Sequence, residues 1–172
     1  MTVLCDWEIR ARCEGSQMIV PFDASLLNPA SLDVLLGDNL MIETMHQKEL
    51  LRFDISDRTE DNPYKLLPNH FCLAETRELF NIPDDISAQF VLKSSRARDG
   101  LNHLLAGWID PGFHGSRLTL ELKNVRRHHS LPLWPGMKIG QLVFYSMSNV
   151  PVHSYRETGN YNNHLTVMPS VA

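Results

Sequence analysis

Residues 93–124 read KSSRARDGLNHLLAGWIDPGFHGSRLTLELKN, and after a short polar loop residues 131–144 read LPLWPGMKIGQLVF. In the first stretch Leu118, Leu120 and Leu122 alternate with Thr119, Glu121 and Lys123. A period of two marks a strand with one buried face, and it sets a single carboxylate, Glu121, on the other face. Asp110-Pro111-Gly112 and Pro135-Gly136 read as turns between strands. Ahead of them Lys93, Ser94, Ser95, Arg96 and Arg98 crowd hydroxyls among cations, a composition suited to holding an anion. A carboxylate on a rigid strand near such a pocket can serve as a base on something bound there.

The same reading extends outward. Strands are expected at Met18 to Phe22 (interrupted by Pro21), at Leu32 to Leu36, and returning at Leu40 to Glu43 after a Gly37-Asp38-Asn39 turn. Others are expected at Glu49 to Ile55, Phe71 to Thr76, Phe90 to Leu92 and Ile139 to Tyr145, with a turn at Ile82 to Asp85. Asp6 reads as the cap of a short helix over Trp7 to Glu14, stopped by Gly15, and Ser94 to Gly100 as one helical turn. Many short strands with frequent turns and little helix predict an antiparallel barrel or sandwich. Residues 1–172 read as a single domain, with 152–172 as a polar, glycine-containing tail that is frayed or draped over a neighbour.

Composition narrows the class. A 172-residue chain with 43% hydrophobic and 21% charged residues has the make-up of a folded globular protein. A net charge of -4 argues against broad nucleic-acid or membrane attraction. No apolar run reaches membrane-spanning length, and Asp6 and Glu8 stand where a secretion signal needs an apolar core. Cys5, Cys13 and Cys72 are odd in number and scattered, which suggests reduced thiols in a cytoplasm instead of a disulfide framework or zinc cluster.

The segments KSSRAR, AGWIDPGFHG, TLELKN and LWPGMKIGQLVF together resemble the dCTP deaminase family, relatives of the trimeric dUTPases. LCDWEI, NPASLDVLLGDN and IPDDISAQFVLKSS fit the same family, and YRETGNY with VMPS resembles the bifunctional dCTP deaminase–dUTPases. The resemblance implies a mostly-β β-clip, or distorted jelly-roll barrel, of the dUTPase-like type. It also implies a homotrimer with active sites between subunits, a C-terminal tail closing over bound nucleotide, and magnesium carried by the triphosphate. Zinc-dependent deaminases need H-x-E and P-C-x-x-C motifs. Neither occurs in this sequence, which fits a zinc-independent family.

By the same resemblance Glu121 is the general base that takes a proton from water attacking C4 of cytosine. Ser94 helps hold that water, and Arg98 supplies positive charge near the reacting centre. Lys93, Ser94 and Ser95 match the phosphate-binding run, in which most relatives carry Arg at the position of Lys93. Asp110 matches the deoxyribose contact, Trp108 and Ile109 the backbone that reads the base edge, and Ala106 the tight spot beside the base. His103 matches a family histidine, Tyr155 the tail tyrosine near the phosphates. Asn160 stands where a phosphate-binding Lys is expected and His164 where Gln is expected. Gly100 to Ala106 is one residue shorter than in typical relatives, Leu105 replaces a common Thr, and the tail is about two residues shorter between Tyr155 and Tyr161.

The residues by themselves leave duller roles open. Glu121 reads equally as a strand carboxylate facing solvent or Lys123, and Ser94 as a helix cap. Arg98 reads as a surface ion-pair partner, Asp110 as a turn residue, Trp108 and Ile109 as core, and His103 and Gln141 as structural. The expected activity is hydrolysis of dCTP to dUTP and ammonia, followed in bifunctional relatives by conversion to dUMP and pyrophosphate. The alternatives are a dUTP pyrophosphatase without deamination, a dCMP-preferring deaminase, and a nucleotide-binding regulator.

Overall fold

The computed structural model describes residues 2–171. Its elements run β1 (Thr2–Val3), α1 (Asp6–Ser16), β2 (Ile19–Val20), β3 (Leu27–Asn28), β4 (Ser31–Thr44), β5 (Gln47–Asp54), β6 (Tyr64–Leu66), β7 (Phe71–Asn81) and β8 (Ile86–Leu92). There follow α2 (Ser94–Asp99), β9 (Leu101–His103), β10 (Trp108–Ile109), β11 (His114–Asn124), β12 (Leu131–Leu133), β13 (Lys138–Ser146) and α3 (Tyr155–Thr158). One sheet runs β10-β8-β13-β4-β7-β11-β9, with β1 on β13, β2 on β7, and β3 and β5 on β4, while β6 and β12 pair separately. The curled sheet wraps a core in which Ile9, Leu36, Phe80, Leu122, Ile139 and Phe144 are fully buried. This is the mostly-β, distorted jelly-roll architecture expected from the sequence.

Three local expectations are corrected. Gly37-Asp38-Asn39 is not a turn but lies inside β4. Leu36 pairs with Thr76 and Leu40 with Ala74, so β4 carries two extra residues there as a bulge. Gly37 is required by close approach, since a Cβ would lie 2.6 Å from Glu75 Cγ. The reversal falls instead after Thr44, which pairs with Gln47. The first helix is capped by Cys5, not Asp6, with the Glu8 carboxylate accepting the Cys5 N–H at 2.9 Å. It also runs through Gly15 to a left-handed Gln17. Finally, β7 continues past Thr76 to Asn81. Its end hides from a hydropathy reading because it continues with Arg77 and Glu78, and Glu78, like Glu75 before it, is buried.

Those two carboxylates are handled differently. Glu75 accepts from Asn39 Nδ2 at 2.9 Å and from the Val167 N–H at 2.7 Å, with Arg117 at 3.5 Å. Glu78 accepts only the Leu35 N–H, at 3.1 and 3.2 Å from its two oxygens. Burial pushes the Glu78 carboxyl up to about 7, against the weaker opposing pull of the Leu35 N–H.

Residues 152–171 are docked on their own chain. Ser154 bonds to Asp84, and the Tyr155 N–H donates to Pro111 O at 3.0 Å, which docks α3 on the Asp110-Pro111-Gly112 turn. Gly112, at φ +91°, leaves the space that Ser154 fills. Farther along, the Arg117 N–H donates to His164 O at 2.9 Å, and the Met168 N–H donates to Thr119 Oγ1 at 3.1 Å. Val167 is fully buried against Met41 and Leu73. A sequence reading misses this because the anchoring groups, Glu75, Ser116 and Thr119, are polar and lie far away along the chain.

Two outcomes are expected. The Glu78 carboxyl binds its proton more tightly in the folded state than in the unfolded one. Its stabilising contribution is therefore complete below about pH 4.5 and lost as pH rises towards 7. Glu78→Gln, which stays neutral, should match wild type at low pH and exceed it above pH 7 by on the order of 3 kcal/mol in urea unfolding. Val167→Asp should free the tail. Amide exchange at His164 and Met168 should rise by on the order of 10- to 100-fold while the sheet amides keep their protection.

Candidate active site

The alternation in β11 decides which side chains face the site. Leu118, Leu120 and Leu122 are buried, and Arg117, Thr119 and Glu121 on the other face border a cavity of about 640 Å³ that Leu118 and Leu120 also touch. Ala106, Trp108, Ile109, Asp110, Tyr155, Tyr161 and His164 also line it. The walls combine the bottom of the sheet, the loop between β9 and β10, and the docked tail.

Glu121 is held from both sides. It pairs with Leu73 on β7, and its neighbour Leu122 pairs with His103 on β9. Glu121 Oε2 lies 3.3 Å from His103 Nε2. The two atoms are too poorly aligned for a hydrogen bond, and neither has any other partner although both are shielded from water. His103 is buried and packs its ring on Phe90 at 4.6 Å. Two buried polar atoms left unsatisfied side by side mark a place where a bound polar group belongs. No ion pair with Lys123 forms, and the solvent-facing reading holds only in part: the Glu121 side chain is 28% exposed, while its Oε2 is shielded within this cavity.

The loop before β10 brings backbone to the same place. A Cβ at Gly107 would lie 2.4 Å from Phe90 O, so only glycine lets the loop approach β8, where the Phe90 N–H donates to Gly107 O at 2.7 Å. Leu105 sits at φ +65° and is almost fully exposed. Trp108 and Ile109 form the end strand of the sheet, so the outer edge of β10 is unpaired among the described residues. The Ile109 side chain is core, as its duller reading holds. Trp108 is 53% exposed, stacks on Tyr145, and donates its indole N–H to Asp110 Oδ1 at 3.0 Å. Asp110 thus has one oxygen fixed while its carboxylate faces the cavity.

The remaining sequence candidates lie elsewhere. Ser94, Ser95 and Arg98 are exposed on α2, and neither they nor Lys93 line this cavity. The Lys93 ammonium is bound to the buried Asp33, which Lys138 Nζ also approaches at 3.2 Å. Desolvation opposes ionisation of Asp33, but the lysines and Asn28 prevail and hold its carboxyl below the usual range. Arg96 lies over the Trp134 ring at 5.7 Å. Asn160 is exposed and offers its backbone carbonyl to His164. Gln141 accepts from Ser31 Oγ at 3.2 Å, a structural contact. Tyr155 packs on Phe113, and burial raises its hydroxyl above the ordinary tyrosine range. The sequence reading missed Arg117, Tyr161 and Thr119. The period-two pattern that exposed Glu121 also places Arg117 and Thr119 on its face.

Comparisons with known proteins agree with this architecture. Residues 3–147 match the dCTP deaminase-like family. A "dCTP deaminase, dUMP-forming" of Acidothermus cellulolyticus is 41% identical over 167 residues, covering 89% of this chain and 84% of that protein. Proteins of the same name from Streptomyces coelicolor and Methanosphaerula palustris are each 39% identical, covering 89% and 84% of this chain and 84% and 81% of theirs. Among solved structures, the 2'-deoxycytidine 5'-triphosphate deaminase of Agrobacterium tumefaciens superposes with a TM-score of 0.66 at 22% identity, over 83% of this chain and 47% of that longer one. The chain belongs to the dCTP deaminase-like family.

Proposed function

We propose that this protein deaminates dCTP to dUTP and ammonia and carries the product on to dUMP and pyrophosphate. The observation that carries the reading is Glu121, whose shielded oxygen has no hydrogen-bond partner in a cavity bordered by the unpaired edge of β10. The names of the relatives, dUMP-forming dCTP deaminases, support both steps.

In this reading cytosine lies against the backbone of Trp108 and Ile109, with Ala106 leaving room beside the ring and Asp110 accepting from the deoxyribose hydroxyl. Glu121 takes a proton from a water molecule and delivers it to N3 as the water oxygen bonds to C4. It then takes the proton from the new C4 hydroxyl and passes it to the amino group. Ammonia leaves as the C4 carbonyl forms. Magnesium would be held by the nucleotide and would screen the charge of its phosphates, and in this reading the Glu121 carboxylate activates the water without zinc.

Ser94, Ser95 and Arg98 enter as residues of a neighbouring subunit in a homotrimer. Their exposure on α2 and their distance from their own cavity support this arrangement. The tail closes over the nucleotide through Tyr155 and His164, with Asn160 at its outer side. The three free cysteines suit a reducing cytoplasm, where such nucleotides are made.

Chromatography of products from dCTP, dCMP and dUTP with magnesium should show dCTP converted to dUMP. Recovery of all three unchanged would refute the reading. Glu121→Gln should lower turnover by about 10²- to 10⁴-fold while nucleotide binding persists. Co-assembly of Glu121→Gln with an inactive Ser94→Ala/Arg98→Ala chain should restore about one site in four, because some interfaces then pair an intact carboxylate with an intact α2. No recovery would place both sets of residues in one subunit.

A further inference from the structure

Arg117 is the only Lys or Arg among the described residues that line the cavity. It lies on β11 between two register shifts in the pairing with β7, one between His114 and Ser116 and one between Arg117 and Thr119. Bulges of this kind re-aim side chains next to active sites. Arg117 shares the strand face of Glu121 four residues away, which at strand rise is roughly 12–14 Å. That separation exceeds the length of a pyrimidine ring and reaches past the sugar to the phosphates.

The guanidinium is already fixed in place. One of its NH groups donates to Thr76 O at 3.2 Å and lies 3.5 Å from Glu75 Oε1, while the rest of its fork has no partner. Glu75 also accepts from Asn39 Nδ2 and the Val167 N–H, so Arg117 meets only one corner of that carboxylate. Among the described residues the rest of its guanidinium fork stays open to a ligand. A half-committed, oriented guanidinium at the far end of a cavity from a carboxylate is suited to a phosphate oxygen. Of the cations at α2, Lys93 is bound to Asp33 and Arg96 stacks on Trp134, and Arg98 does not line this cavity.

We infer that Arg117 is a specificity-determining residue that binds the phosphate chain of the nucleotide whose base meets Glu121, so that the two residues measure the substrate from opposite ends of one strand face. This rests on the reading given under Proposed function. The same contact explains how the tail responds to substrate. Arg117 donates its own N–H to His164 O and bridges through Glu75 to Val167, so phosphate binding bears on the segment that covers it.

The test is the affinity of the full-length, turnover-deficient Glu121→Gln chain for dCTP with magnesium and for deoxycytidine, measured by calorimetry with no further change, with Arg117→Met and with Glu75→Gln. Arg117→Met should weaken dCTP binding about 10- to 100-fold and leave deoxycytidine binding unchanged. Glu75→Gln, which loosens the tail but keeps the cation, should retain the preference of the Glu121→Gln chain for dCTP over deoxycytidine. Unchanged dCTP affinity in Arg117→Met, or an equal loss for both ligands, would overturn the inference and leave Arg117 a structural residue. A Glu121→Gln chain that binds neither ligand would overturn the deaminase reading itself.

Discussion

Everything at the site depends on burying three leucines. Leu118, Leu120 and Leu122 must leave water, and because side chains alternate across a strand, Arg117, Thr119 and Glu121 are forced to the opposite side. β11 pairs with β7 along its length and with β9 over Leu122 to Asn124, so the register that buries the leucines cannot slip without exposing them. A hydrophobic constraint thereby fixes which way this carboxylate points. The placement of Glu121 is a by-product of core packing, with His103 packed on Phe90 beside it.

The tail is organised by a second, polar constraint. Glu75 is buried at the bulge in β4 and finds its donors on Asn39, Arg117 and the Val167 N–H. A buried carboxylate must satisfy its oxygens or lose its charge. Here the last segment of the chain supplies one of the donors. Glu75 thus links the central strand pair, the cavity wall and the cover. Glu78, three residues on, has no such set of donors, and its raised carboxyl records the difference.

Much of this was legible in the residues, and the failures have identifiable causes. The alternation in residues 118–123 and the two Pro/Gly turns predicted β11 and its neighbours. Gly37-Asp38-Asn39 misled because glycine served close approach to Glu75 instead of chain reversal. The end of β7 beyond Thr76 was hidden because it continues with Arg77 and the buried Glu78. Lys93, Ser94 and Ser95 were recognisable as a group. Their placement away from the Glu121 cavity was not, because proximity along the chain does not specify on which side of the fold a short helix lies. Arg117 sat on the predicted face of the predicted strand and passed for an ordinary exposed cation.

The central claim is that Glu121 meets C4 of a cytosine nucleotide in a cavity completed by α2 of another subunit. A crystal structure of Glu121→Gln grown with dCTP and magnesium tests it most directly. The account predicts cytosine against the Trp108–Ile109 backbone, its C4 beside residue 121, and Ser94 and Arg98 arriving from a neighbouring chain. Nucleotide bound with its base turned away from residue 121, or a cavity occupied with no second subunit near it, would contradict the account.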